Sequence, residues 1–253
     1  MNPATSLKRA REAAETIAAS GDYVSFVEIV RKMDPWIFKR PSSVVDRDYL
    51  RVVDHHLKNL LPHIQRYIEP STRRVLDFGC GSGGSAIALA MVYPEISCFG
   101  TDIDERAIEV ARHRAKLYGV ENRCHFHCVS ERVTSAFADN SFEFCQCSSV
   151  LEYCVSPGER SFCIQEMVRL VKPEGLLFFS TPNRLYPFEI HTGKWLWNYF
   201  PRWFNARTVD SSYWEVRKLA QPNVLKLHRT SWVQLFRPWS NFCVRKESEH
   251  RRP

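Results

Sequence analysis

The stretch VLDFGCGSGG, residues 75 to 84, sets an acid, Asp77, two positions ahead of a run with glycine at 79, 81, 83 and 84. Gly79, Gly81 and Gly84 fit the G-x-G-x-x-G spacing of a dinucleotide site, whereas Asp77, Gly79, Gly81 and Gly83 fit a second pattern led by a carboxylate. The two patterns imply different ligands. A pyrophosphate is anionic and is met by bare backbone amides at a helix N-terminus, so a carboxylate beside it is unfavourable. The same carboxylate attracts an ammonium group. S-adenosylmethionine carries an ammonium and a sulfonium and no phosphate, and glycines let the backbone approach its methionine portion without a colliding Cβ. Asp102 follows Gly84 by 18 positions (102 − 84), a distance at which a carboxylate ending the next strand accepts from ribose hydroxyls. That acid alone serves a nicotinamide site equally well.

Two other sets of residues could do chemistry. CHFHC, residues 124 to 128, offers two cysteines and two histidines in five positions. In a strand, however, Cys124, Phe126 and Cys128 share one face and His125 and His127 the other, so four ligands cannot converge on one ion, and no metal site is expected. The nine cysteines (80, 98, 124, 128, 145, 147, 154, 163 and 243) fall mostly in apolar strand-like segments and read as buried reduced thiols. A Tyr-x-x-x-Lys pair, which a short-chain dehydrogenase needs, is absent from all nine tyrosines.

The elements that must position these residues alternate regularly. Residues 46 to 68 carry a helical apolar stripe, with Pro62 placed to kink it. RRVLDFG then reads as strand one, SAIALAMVY as a helix, ISCFGTD as strand two, ERAIEVARHRAKLYG as a helix and CHFHCVS as strand three. SFEFCQCSS is strand four, GERSFCIQEMVRLVK a helix and GLLFFSTP strand five. Strands trading places with helices of this length predict βαβ units, a parallel sheet and ligands at the carboxyl ends of the strands, where Asp77, Asp102, Ser130, Ser148 and Thr181 lie. A helix over SYWEVRKLA and strand-like pieces near 223 to 229 and 241 to 246 complete seven strands. The fold class expected is therefore α/β, a doubly wound, mostly parallel, seven-stranded Rossmann-like sheet with an N-terminal helical extension and an aromatic lid after strand five. The expected divisions are 1–70 for the extension, 71–183 for the cofactor-binding core, 184–222 for the aromatic segment and 223–253 for the final strands and basic tail.

The length of 253 residues suits one large α/β domain rather than two. A net charge of +7 suits an anionic partner, although part of it sits in the terminal RKESEHRRP. No apolar run approaches the roughly 20 residues that cross a bilayer, and the N-terminus lacks the apolar core of a secretion signal. The expected location is cytoplasmic, with a peripheral membrane contact as the variant.

The succession VLDFGCGSGG, GTDIDERAIEVAR, SERVTSAFADNSFEF, SSVLEY and RLVKPEGLLFFSTPNR, about residues 73 to 184, resembles the class I S-adenosylmethionine-dependent methyltransferases, in particular the small-molecule branch that includes quinone-biosynthesis O-methyltransferases. The resemblance implies S-adenosylmethionine as cofactor. Asp77, Gly79, Gly81 and Gly83 then surround its methionine part, Asp102 with Ile103 takes the ribose and one adenine face, and Glu131 accepts from the adenine amino group with the Arg132 amide opposite N1. Ser148, at the end of strand four, joins these cofactor contacts. The sequence departs from the family where Ser135 and Ala136 replace leucine and proline, where Tyr153 replaces a histidine, and where Pro173, Glu174 and Gly175 stand for PGG.

Methyl transfer from a sulfonium demands alignment, and for a hydroxyl acceptor a base that adds about 10²- to 10⁴-fold. His191 in PFEIHTG is the first candidate base, with Tyr153 and Glu152 in reserve. The segment from 184 to 207 interleaves Phe188, Trp195, Trp197, Tyr199, Phe200, Trp203 and Phe204 with Lys194, Arg202 and Arg207. It suits a lid over an apolar pocket or a membrane-surface contact. Either use points to a small lipophilic or aromatic acceptor. A nucleic-acid substrate, the other class that the charge suits, is disfavoured because CSSVLEY replaces the acidic or Asn-Pro-Pro-aromatic motif of amino-methylating enzymes. A non-catalytic nucleoside-binding relative is the remaining alternative, and monomer and homodimer stay equally open.

Overall fold

A computed structural model describes residues 3–129, 137–154, 156–183, 186–189, 194–196, 213–220, 225–228, 237 and 239–248. The chain forms two compact units, residues 1–136 and 137–253.

In the first unit, α1 (Pro3–Ala18) and α2 (Gly21–Met33) precede a series of short helical turns. A parallel three-stranded portion then follows, β1 (Arg74–Phe78), β2 (Ser97–Asp102) and β3 (Cys124–Cys128), with α6 (Gly84–Val92) and α7 (Glu105–Leu117) as the crossovers. The boundaries follow ordinary capping chemistry. Ser20 accepts from the Tyr23 N–H at the start of α2, and Asp104 accepts from the Arg106 N–H at the start of α7. Helix α6 is apolar all round and buried along nearly its whole length, as a helix covered on every side must be. Tyr23, Phe26, Val30, Ile37 and Val45 of the extension bury against Val110 of α7. The extension therefore packs on the face of α7.

The single helix expected over residues 46 to 68 is replaced by alternating pieces. These are α3 (Ser42–Val45), a π turn (Asp46–Leu50), α4 (Val52–His55), a second π turn (His56–Leu60), α5 (Leu61–Ile64) and a 3₁₀ turn (Gln65–Tyr67). Pro62 stands at the start of α5. Lacking an N–H, it cannot continue the i→i−4 ladder of the preceding turn, and that turn widens so that the Leu61 N–H bonds the His56 carbonyl.

The second unit contains β4 (Phe142–Ser148), α8 (Pro157–Leu170), β5 (Val171–Pro182), a small ribbon of β6 (Phe188–Glu189) and β7 (Lys194–Trp195), α9 (Tyr213–Leu219), β8 (Leu225–Leu227) and β9 (Trp239–Lys246). Strand β4 runs parallel to β5, while β5 to β9 and β8 to β9 are antiparallel. The strand order is β3-β2-β1 in the first unit and β4-β5-β9-β8 in the second, seven strands that are mixed but mostly parallel, as expected. Ser156 and Glu159 close a reciprocal capping box on α8. Its neighbour α9 is tied by an Arg160 to Glu215 ion pair of 3.2 Å. Strand β5 begins at Val171, so Val171 and Lys172, expected in the helix, belong to the strand instead, with Val171 opposite Phe142. A register irregularity between Phe142 and Phe144 takes up the extra residues.

Buried thiols account for six of the cysteines, at 80, 98, 124, 145, 147 and 243. Cys128 is exposed at the strand end, and Cys154 and Cys163 are half-buried. In CHFHC the parity holds at its first positions, with Cys124 and Phe126 buried and His125 exposed. Among the described residues no group of three or more metal-ligating side chains forms, and no helix is long and apolar enough to cross a membrane.

His56, on the second π turn, has its ring packed against the N-terminus of α6, and its Nδ1 is buried. Burial, reinforced by the like charges of His55 and Arg114, pushes its pKa down to about 3. The folded protein therefore holds His56 neutral while the unfolded chain takes up a proton below about 6.5, so its contribution is complete above that pH and is lost as pH falls toward 3. Urea unfolding of the wild type and of His56→Gln between pH 7 and 4.5 checks this: the wild type should lose stability more steeply, by about 1.4 kcal/mol per pH unit.

Candidate cofactor site

The turn between β1 and α6 is set by three glycines with positive φ: Gly79 at 71°, Gly81 at 50° and Gly83 at 80°. This is the left-handed region that side chains resist. At Gly83 space forbids a side chain as well, because a Cβ would lie 2.8 Å from both Ala111 Cβ and the Phe126 ring. Gly81 differs: nothing lies within 4 Å of the place its Cβ would take. The Thr101 carbonyl of β2 accepts from both the Gly79 N–H (2.8 Å) and the Cys80 N–H (2.9 Å) and so holds the first half of the turn.

Asp102, at the carboxyl end of β2, holds the second half. Its Oδ2 accepts from the Gly81 N–H at 2.7 Å and its Oδ1 from the Asp104 N–H at 3.0 Å. Each carboxylate oxygen keeps acceptor capacity beyond these bonds, and the residue is only partly buried. Next to it, Ile103 is 61 % exposed, an apolar side chain on an open shelf. An acceptor for hydroxyls, an apolar face beside it and bare backbone at Gly81 fit a ligand with a ribose and an adjoining flat base.

Asp77 lies near the carboxyl end of β1. It is 2 % exposed, and its Oδ2 accepts from the Ser85 hydroxyl on the first turn of α6. The acid that leads the pattern thus engages the helix that ends it. Sequence reasoning passed over Ser85, although a serine at a helix start next to a buried acid is a readable pairing. It also passed over Asp104, whose D-x-x at the head of α7 is a capping signal.

Of the remaining predicted residues, Ser148 ends β4 in the second unit, and its hydroxyl has no hydrogen-bond partner among the described residues. Tyr153, on a 3₁₀ turn (Leu151–Tyr153), is 63 % exposed, while Glu152 beside it is fully buried. Glu131, Arg132 and His191 lie outside the described residues, as do Ser130, Ser135, Ala136 and most of the aromatic segment. Trp195, within its described part, is 69 % exposed on β7.

Comparison with known proteins agrees with this geometry. Residues 75–175 match a family model described as a methyltransferase domain. The chain is 37 % identical over 112 residues to a ubiquinone biosynthesis O-methyltransferase of Thiobacillus denitrificans, covering 44 % of this chain and 45 % of the relative. It is 30 % identical over 126 residues to the protein of the same name from Neisseria meningitidis, covering 49 % and 50 %. The chain thus spans about half the length of the curated relatives it matches. The crystal structure of an S-adenosylmethionine-dependent methyltransferase from Methanosarcina mazei superposes with a TM-score of 0.56 at 21 % identity, over 75 % of this chain and 99 % of that one, a likeness of fold. Over the matched segment the resemblance to class I S-adenosylmethionine-dependent methyltransferases holds, and S-adenosylmethionine is the cofactor that goes with it.

Asp102→Ala releases the Gly81 and Asp104 N–H groups and removes the hydroxyl acceptor. Titration calorimetry should find S-adenosylhomocysteine bound more weakly by about 1.5 to 3 kcal/mol, the scale of a hydrogen bond to a charged group. Unchanged affinity would mean that the ribose lies elsewhere.

Proposed function

We propose that this chain transfers a methyl group from S-adenosylmethionine to a small acceptor of lipophilic or aromatic character, with a hydroxyl oxygen favoured over nitrogen or carbon. The observation that carries the reading is the glycine turn clamped by Asp102, open at Gly81 and flanked by exposed Ile103. The names of the curated relatives support the choice of oxygen and of an aromatic acceptor.

In this reading Asp102 takes the ribose hydroxyls, Ile103 covers one adenine face, and Glu131 with the Arg132 amide reads the adenine edge. Bound there, the cofactor supplies a methyl group activated by a sulfonium that leaves as a neutral thioether. The protein's share is alignment and a deprotonated acceptor; good alignment alone contributes about 7 to 11 kcal/mol in favourable models. His191 is the proposed base, with Tyr153 in reserve. Residues 184–207 cover the acceptor or rest on a membrane surface, a use that Trp195, exposed beside Lys194, fits. The proposed location is accordingly the cytoplasm, peripheral to a membrane where that contact forms.

Calorimetry with S-adenosylhomocysteine and NAD tests the cofactor: the first should bind and the second should not compete. Tighter binding of NAD would sink the reading. The base is tested by His191→Ala, which should lose kcat while keeping cofactor affinity, and the limb of the pH profile near a histidine pKa should vanish. A mutant with full kcat and an unaltered profile would assign the base to Tyr153 or to none, a choice that Tyr153→Phe resolves.

A further inference from the structure

Arg114, on the buried face of α7, has no exposed surface and no carboxylate within ion-pair distance among the described residues. A guanidinium stays protonated at any ordinary pH, so a full positive charge is buried without a counter-ion, which costs several kcal/mol unless other groups replace its water. Three groups do so in part. One terminal nitrogen donates to the Ser82 carbonyl in the glycine turn, the other donates to the Tyr49 carbonyl on the first π turn of the extension, and the Phe26 ring of α2 lies 5.1 Å from the guanidinium carbon. Burial pulls the guanidinium down to about 10, and the Nε–H has no partner among the described residues. Leucine or methionine at this position would avoid the whole penalty, so packing alone does not account for an arginine.

The two carbonyls belong to segments 33 positions apart (82 − 49). Between them opens a cavity of about 380 Å³ whose wall includes Trp36, Arg40 and Tyr49 from the extension, Gly81 and Ser82 from the turn, and Arg106 from α7. The Arg40 guanidinium stacks 5.2 Å over the Tyr49 ring and continues the same wall. The extension therefore meets the glycine turn through Arg114 on one side of this cavity, next to Gly81, whose N–H Asp102 holds.

We propose that Arg114 is a positioning residue for the cofactor turn: it ties the Ser82 carbonyl to the Tyr49 carbonyl, so that setting the glycine turn for its ligand and ordering residues 46–50 of the extension are one event. The proposal rests on the cofactor reading above for its ligand, but the tie itself is a property of the protein alone. Arg114→Met removes the charge and both donors. Arg114→Lys keeps the charge, and its single ammonium reaches one carbonyl well at most.

Amide hydrogen exchange and calorimetry with S-adenosylhomocysteine test this on the full chain. Arg114→Met should bind about 10- to 100-fold more weakly, the loss expected for hydrogen bonds from a charged donor, with one site per folded molecule retained. A merely structural role would instead lower the number of competent sites at unchanged affinity. Exchange at residues 46–50 and 81–84 should rise together in the ligand-free variant, and ligand should protect both segments in the wild type but only the turn in the variant. Arg114→Lys should fall between the two and stands in if Arg114→Met does not fold. Wild-type affinity with unaltered exchange in either variant overturns the proposal. If the wild type binds no S-adenosylhomocysteine, the cofactor reading fails, and the ligand-free exchange still decides whether Arg114 ties the two segments.

Discussion

The site hangs on one carboxylate. Asp102 holds the Gly81 N–H with one oxygen and the Asp104 N–H with the other, and so fixes the glycine turn to the mouth of α7. Three left-handed glycines are expensive to order, since glycine loses more backbone freedom on folding than any other residue. A loop of that composition keeps one shape only if something charged or rigid holds it. Here Asp102 grips the middle of the turn, the Thr101 carbonyl its beginning, and buried Asp77 with Ser85 the helix that follows. The two acids differ in setting: Asp77 is buried and accepts from Ser85, whereas Asp102 is only partly buried beside exposed Ile103.

Close packing transmits the turn's constraint into the extension. A Cβ on Gly84 would fall 2.7 Å from both His56 and Val52, so the start of α6 is seated directly on the π-interrupted turns. The second of those turns stands directly before Pro62, which breaks the ladder, and it carries His56 against Gly84. The extension is thereby a wall of the first unit: its neutral His56 is buried against the start of α6, and its Tyr49 carbonyl accepts from the buried Arg114 of α7.

The second unit answers a different problem, the entry into β5. Glu174 stands at φ 65° where the family pattern has a glycine, a strained setting for a side chain. Its carbonyl accepts from Arg245 at 2.6 Å and its carboxylate from the Ser248 N–H at 3.2 Å, so β9 and the residue after it stabilise a turn that glycine would adopt alone. Gly175 next to it admits no Cβ, which would meet the Glu143 and Lys172 carbonyls at 2.9 Å. The departure from PGG at one position and the retention of glycine at the other have separate causes.

The alternation of strands and helices and the glycine turn with its two acids were legible in the sequence because each rests on local chemistry: periodicity, and a backbone angle that only glycine takes readily. Pro62 announced an interruption but not its form, since widening into π turns depends on what packs beneath. That Asp77 is buried while Asp102 is only partly so, that Glu152 is buried while Tyr153 beside it is exposed, and that Val171 pairs as strand rather than continuing α8 are matters of neighbours distant in the chain. Arg114 is the clearest case. In ARHRAKL it reads as one more surface cation on a polar helix, and only the approach of α2, the π turn and the glycine turn from three directions makes it a buried one.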